Sequence, residues 1–161
     1  MRIRAYIDTN IFIYAIFHHS QYGKVCERIL YDANKYNLEG YGSYLVAIEL
    51  LGSISKVDPK VASNAVKDYL AMNIKLLEIN EIILSIAGLI NTIVNIRYDA
   101  IHLALMMVNG IDLIITNDLD DWEKASQKFE DIEKTLHKEN FEIAISKLNV
   151  ISPKDYTRGF T

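Results

Sequence analysis

Hydrophobic and polar positions run along this chain in two rhythms, one of strand length and one of helix length. Residues 2–7 alternate charge and bulk (Arg2, Ile3, Arg4, Ala5, Tyr6, Ile7), which predicts a short strand. Asn10 to Phe17 is apolar and aromatic and predicts a buried helix, with Thr9 or Asn10 able to cap it. Tyr22 to Tyr36 carries Val25, Ile29, Leu30 and Ala33 on one helical side. Leu38 to Ser43 contains Gly40 and Gly42 and reads as a turn or a short strand. Ser43 is placed to cap a helix from Tyr44 to about Ser55, and Asp58-Pro59 starts another that runs to about Ala71, with proline at an early helical position.

In the second half, Ile74 to Ile79 predicts a strand, and Asn80 or Glu81 opens a helix to about Asn95. A further helix from Asp99 to Val108 stops at Asn109-Gly110, a fitting C-terminal signal. Ile111 to Thr116 is strand-like, Leu119 to His137 is charged and helical, and Ser146 to Ile151 is a last short strand before Pro153. Strands separated by helices predict an α/β fold with a mostly parallel sheet. No repeat, low-complexity segment or linker interrupts residues 1–161, so one domain is expected.

Composition narrows the class. The chain has 161 residues, half of them hydrophobic, which suffices for one ample core. No apolar run reaches the length of about 18 residues that a bilayer span requires, and the charged start Met1-Arg2-Ile3-Arg4 does not resemble a signal peptide. Cys26 is alone and can form no intrachain disulfide. A cytoplasmic protein is the simplest expectation. The formal net charge of −4 and the lack of a basic tract neither point to nor exclude a nucleic-acid partner.

Four acidic residues stand where the apolar pattern breaks. Asp8 ends the first strand, Glu49 interrupts the apolar stretch from Tyr44 to Leu51, Asp99 opens an apolar helix, and Asp118 follows the strand that ends at Thr116. Each has an ordinary explanation: Asp caps helices well, and a Glu can face solvent. A shared metal site explains all four with one cause, because a carboxylate in apolar surroundings is costly unless paired. No Lys or Arg is equally placed, and hard ions such as Mg²⁺ or Mn²⁺ take oxygen ligands of this kind. In parallel α/β sheets ligands gather beyond the carboxyl ends of strands, where Asp8 and Asp118 both fall. Thr9 and Asn10 could orient a ligand or a bound water, or cap a helix. His102, three residues after Asp99, could support a carboxylate, contact a phosphate, act as an acid or serve structure alone. Asp120 and Asp121 suit the following helix N-terminus, and Asp121 could also reach the cluster through water. The chain has no Gly-rich phosphate loop, GxSxG, HExxH or Cys–His zinc pattern.

Four segments together resemble the PIN-domain ribonucleases, including the VapC-type toxins of prokaryotic toxin–antitoxin pairs. They are Tyr6-Ile7-Asp8-Thr9-Asn10-Ile11-Phe12, Ser43-Tyr44-Leu45-Val46-Ala47-Ile48-Glu49-Leu50-Leu51, Tyr98-Asp99-Ala100-Ile101-His102-Leu103-Ala104 and Leu113-Ile114-Ile115-Thr116-Asn117-Asp118. Val150 to Tyr156 is similar to the family's last strand and tail. The resemblance implies a three-layer α/β/α sandwich. It also implies an endoribonuclease dependent on Mg²⁺ or Mn²⁺ and centred on Asp8, Glu49, Asp99 and Asp118, supported by Thr9, Asn10, His102, Thr116 and Asn117. It further implies an RNA substrate, a homodimer and a small antitoxin protein as partner. One departure is a charged helical insert at about 123–140, where family members pass quickly to the last strand. A rival expectation keeps the fold but works by binding RNA or protein without turnover. Another uses the same carboxylates as a phosphatase or DNA nuclease.

Overall fold

The computed structural model describes residues 1–159. Five strands form one sheet in the order β3-β2-β1-β4-β5, where β1 is Ile3–Ile7, β2 Leu38–Ser43, β3 Lys75–Leu77, β4 Leu113–Ile115 and β5 Asn149–Ile151. Every pairing is parallel. The register sets Ala5 opposite Gly40 and Tyr6 opposite both Tyr41 and Ile114. The chain builds outward from β1 to β2 and β3, then returns to add β4 and β5 on the other side. The boundary between β1 and β4 is therefore the switch point, where neighbouring loops diverge and leave a crevice.

Two pairs of helices fill the first crossovers: α1 (Thr9–Ile16) and α2 (Gly23–Asn34), then α3 (Tyr44–Ser55) and α4 (Pro59–Ala71). The return crossover carries α5 (Glu81–Ile93) and α6 (Asp99–Asn109), and the last carries α7 (Leu119–Gln127) and α8 (Phe129–Lys138). Pro153–Gly159 forms α9. Right-handed crossovers place α1 to α4 on one face and α5 to α8 on the other. The contacts divide in the same way: α1 packs on α2 and α3, α3 on α4 and α9 on α2, while α5 packs on α6 and α8. This is the three-layer α/β/α arrangement, with Ala5, Tyr6 and Ile7 of β1, Trp122, Tyr69, Ile86 and Ile90 buried between or against its layers.

Of the two readings open for Leu38 to Ser43 the strand is the one formed, and three other local outcomes differ from the sequence expectations. Leu38 to Ser43 is a full strand, directly beside the central strand β1. Its glycines do not make a turn; a Cβ on Gly42 would collide with the Tyr69 hydroxyl, which bonds both Ser43 N and Ser43 O at 3.0 Å. The expected single helix over 119–137 breaks at Lys128 into α7 and α8, because α7 packs on β5 while α8 packs on α5. The expected last strand from Ser146 shortens to Asn149–Ile151, and the tail after Pro153 is helical. The charged segment 123–140 also has an apolar side, since Phe129, Ile132 and Leu136 are buried in the common core. Gly110 ends α6 at φ +71°, the left-handed conformation that suits glycine at this position.

Candidate metal centre

Asp8 follows β1 at the switch point and caps α1. Its Oδ1 accepts from Thr9 N at 2.7 Å, and its Oδ2 accepts from Thr116 Oγ1 at 2.6 Å and Asn10 Nδ2 at 3.0 Å. Asn10 also donates to Thr116 Oγ1 at 3.0 Å, while its own Oδ1 accepts from Asn117 N at 3.0 Å. Thr116 Oγ1 in turn accepts from Asp118 N at 3.0 Å. The expected supporting residues Asn10, Thr116 and Asn117 thus stitch the end of β1 to the end of β4. They fix the Asp8 carboxylate and set where Asp118 leaves the strand.

Asp99 begins α6 and links two groupings. Ligand atoms of Asp8, Asp99 and His102 lie within 4.8 Å of one another, and so do those of Asp99, Asp118 and Asp121. The cap assigned to Asp99 as its ordinary role is not made, since no side chain caps α6. Burial, and then the negative charge of Asp8, push the Asp99 carboxyl up to about 7. Asp118 rises for the same first reason, with Asp121 and Asp8 adding repulsion. Asp118 makes no side-chain capping bond to α7 either. Asp121 is approached by Arg97 at 3.5 Å and Lys124 at 3.6 Å.

Glu49 takes a different place. Its Oε1 lies 2.6 Å from His102 Nε2, and its Oε2 accepts from Thr9 Oγ1 at 3.1 Å. His102 is fully buried, with its Nδ1 2.6 Å from the Tyr6 hydroxyl. Tyr6 continues to Ser43 Oγ at 3.0 Å, which accepts from Leu45 N at the start of α3. With neutral His102, one direction satisfies every member: Ser43 donates to Tyr6, Tyr6 to Nδ1, and Nε2 to Glu49. Burial opposes a charge on His102, but the bond to Glu49 and the nearby Asp8 and Asp99 outweigh it and raise its pKa. Both ring nitrogens are engaged and the ring is sealed from solvent, so His102 holds Glu49 and is not exposed to a phosphate. Each Glu49 oxygen keeps a second lone pair for an ion or a water.

Apart from the His102 ring, whose two nitrogens are both engaged, the grouped donors are carboxylates, which fits a hard divalent ion. Cys26 is buried, and its burial pushes the thiol up to about 12, so it offers no thiolate nucleophile. Three participants escaped the sequence reading in these roles. Tyr6 reads there only as strand bulk and Ser43 only as a cap. Arg97 lies at φ +54°, a conformation with no mark in the sequence.

The PIN domain family matches residues 5–128. No curated protein matches the sequence. Among solved structures, one similar chain comes from the crystal structure of VapBC2 from Rickettsia felis bound to a DNA fragment from their promoter. The two chains are 16% identical, the likeness covers 93% of this chain and 98% of that one, and the TM-score is 0.61, which establishes a shared fold.

Proposed function

The chain belongs to the PIN-domain family, and from that premise we propose that it is a Mg²⁺- or Mn²⁺-dependent endoribonuclease that cleaves RNA phosphodiester bonds. One observation carries this reading: Asp8, Asp99 and His102 form one close group and Asp99, Asp118 and Asp121 a second, and the two share Asp99. Asp8 and Asp99 would hold the ion directly, with Asp118, Asp121 and Glu49 holding it directly or through water. A divalent ion bound there supplies a water of lowered pKa and offsets the charge that grows on the phosphate.

The chain's own groups hold that arrangement. Three donors hold the Asp8 carboxylate in place and aim it toward Asp99. His102 and Thr9 fix the orientation of Glu49. With Cys26 buried and His102 enclosed, water is the attacking group that the site favours. The exposed apolar strip Tyr44, Ile48 and Leu51 on α3 supports a further reading, in which the protein works in the cytoplasm as a homodimeric toxin held by a small antitoxin. The fold shared with a VapBC2 chain is in keeping with it. Among the described residues, no helix is long and apolar enough to cross a membrane.

Incubation of the purified protein with labelled single-stranded RNA, with Mn²⁺ and with EDTA, tests the central reading. Cleavage is expected only with the metal. Asp8→Asn should abolish it while the circular dichroism spectrum stays unchanged, because Asn caps a helix as well as Asp. Undiminished Mn²⁺-dependent cleavage by Asp8→Asn would contradict the assignment. RNA binding by the wild type without any turnover would favour the silent module instead.

A further inference from the structure

Arg97 stands at the edge of the acidic site in a backbone conformation that glycine would adopt at less cost. Its φ is +54°, and its carbonyl accepts from Asn91 Nδ2 at 3.0 Å and Ala100 N at 3.2 Å, which fixes the turn between α5 and α6. Its side chain is 77% exposed and meets Asp121 only at 3.5 Å, on a carboxylate that Lys124 also faces. Exposed pairs of this kind hold weakly, so the guanidinium can exchange Asp121 for another anion.

Beside Arg97 a cleft of about 300 Å³ opens between α5 and α6, lined by Leu84, Gly88, Asn91, Arg97, Tyr98 and Ile101. Its Gly88 side is open: a Cβ there would meet no atom within 4 Å. Tyr98 is 73% exposed, directly between Arg97 and the Asp99 that joins the two carboxylate groups. A cation, an exposed aromatic ring and apolar walls in sequence suit one nucleotide: phosphate on the guanidinium, base on the ring. The cleft is too small for a duplex, and a ring stacks on a base only where the base is unpaired.

We propose that Arg97 and Tyr98 form a nucleotide subsite of the nuclease, in which Arg97 binds the backbone phosphate next to the scissile one and Tyr98 stacks on a base of single-stranded RNA seated in the α5–α6 cleft. The proposal rests on the ribonuclease reading above. It also shows where a chain of net charge −4 finds local attraction for a polyanion.

The test compares Arg97→Gln, Arg97→Gly, Tyr98→Ala, Tyr98→Phe and Gly88→Leu with the wild type. KM and kcat are measured with Mn²⁺ over a range of salt, and RNA affinity is measured by anisotropy on the Asp8→Asn background, where the strand stays intact. Arg97→Gln and Arg97→Gly should each raise KM and weaken binding roughly tenfold, with the salt slope reduced by about 0.7, the share of one phosphate on a single strand. Arg97→Gly relieves the left-handed backbone, so equal loss in both variants separates phosphate binding from folding. Tyr98→Ala should weaken binding roughly tenfold with an unchanged salt slope, and Tyr98→Phe should restore it, because the ring alone stacks. Gly88→Leu should fill the cleft and raise KM. Wild-type cleavage with KM, affinity and salt slope unmoved in these variants overturns the proposal alone, and would leave the cleft to a protein partner. A wild type that shows no metal-dependent cleavage overturns the ribonuclease reading and this proposal with it.

Discussion

Asp99 carries the tension of the site. The β1–β4 stitching holds the carboxylate of its neighbour Asp8 and anchors the backbone of Asp118 beside it. Without a metal, the relief open to it is a proton, and the carboxyl therefore titrates near 7 rather than near 4. A group whose folded pKa is raised binds more protons folded than unfolded, so its contribution to stability is present at low pH and lost as pH rises through the folded value. Asp118 and His102 are shifted in the same direction and act with the same sign. We expect the metal-free protein to melt at a higher temperature at pH 6 than at pH 8. Asp99→Asn should flatten that dependence, and Mn²⁺ should raise the melting temperature more at pH 8, where no proton has to leave. Scanning calorimetry at the two pH values, with EDTA and with Mn²⁺, checks all three. Asp8, Asp99 and Asp118 were visible in the sequence because each interrupts an apolar run. The tie between Glu49 and His102 was not, since these residues are 53 positions apart and meet only once the sheet has formed.

Among the elements, α7 and α8 show how a periodic pattern can be correct and still incomplete. Trp122, Ala125, Phe129, Ile132 and Leu136 form one continuous helical stripe, and all five are buried. The pattern predicts one helix; a bend at Lys128 serves two different neighbours, β5 and α5. Nothing in the local spacing encodes that choice, because it depends on where the sheet ends. β2 teaches the same lesson from the other direction. Its glycines weaken the strand signal, yet Gly42 is what allows Tyr69 of α4 to approach Ser43. The charged segment 123–140 is expected to be part of the folding unit, because α8 buries its apolar side in the shared core. Ile132→Ala should cost about 2–4 kcal/mol, seen as a lower urea midpoint in one cooperative transition. A separate transition, or no loss, would mark α8 as an appendage.

The whole molecule derives its chemistry from topology. Strand order 3-2-1-4-5 places the switch point between β1 and β4, which brings Asp8 and Asp118 together across 110 residues of chain. The alternation of strands and helices was enough to read an α/β fold with a parallel sheet. Strand order, and hence the convergence of the carboxylates, followed from pairing that the pattern does not specify. The apolar strip Tyr44, Ile48 and Leu51 lies on the outer side of α3, the helix whose Glu49 faces the site. We expect this strip to form the contact between two copies. Sedimentation velocity should find a dimer, and Ile48→Lys should shift it to monomer with the melting temperature changed by no more than a few degrees. A wild-type monomer at high concentration would remove the α3 strip from the account.

Everything in the functional reading depends on a divalent ion settling among these carboxylates. A crystal soaked in Mn²⁺ and measured at the manganese absorption edge tests it directly. The account predicts an anomalous peak within coordination distance of Asp99, flanked by Asp8 or by Asp118 and Asp121, and its loss in Asp99→Asn. A well-soaked crystal with no peak there, or with manganese bound only elsewhere on the surface, would contradict it.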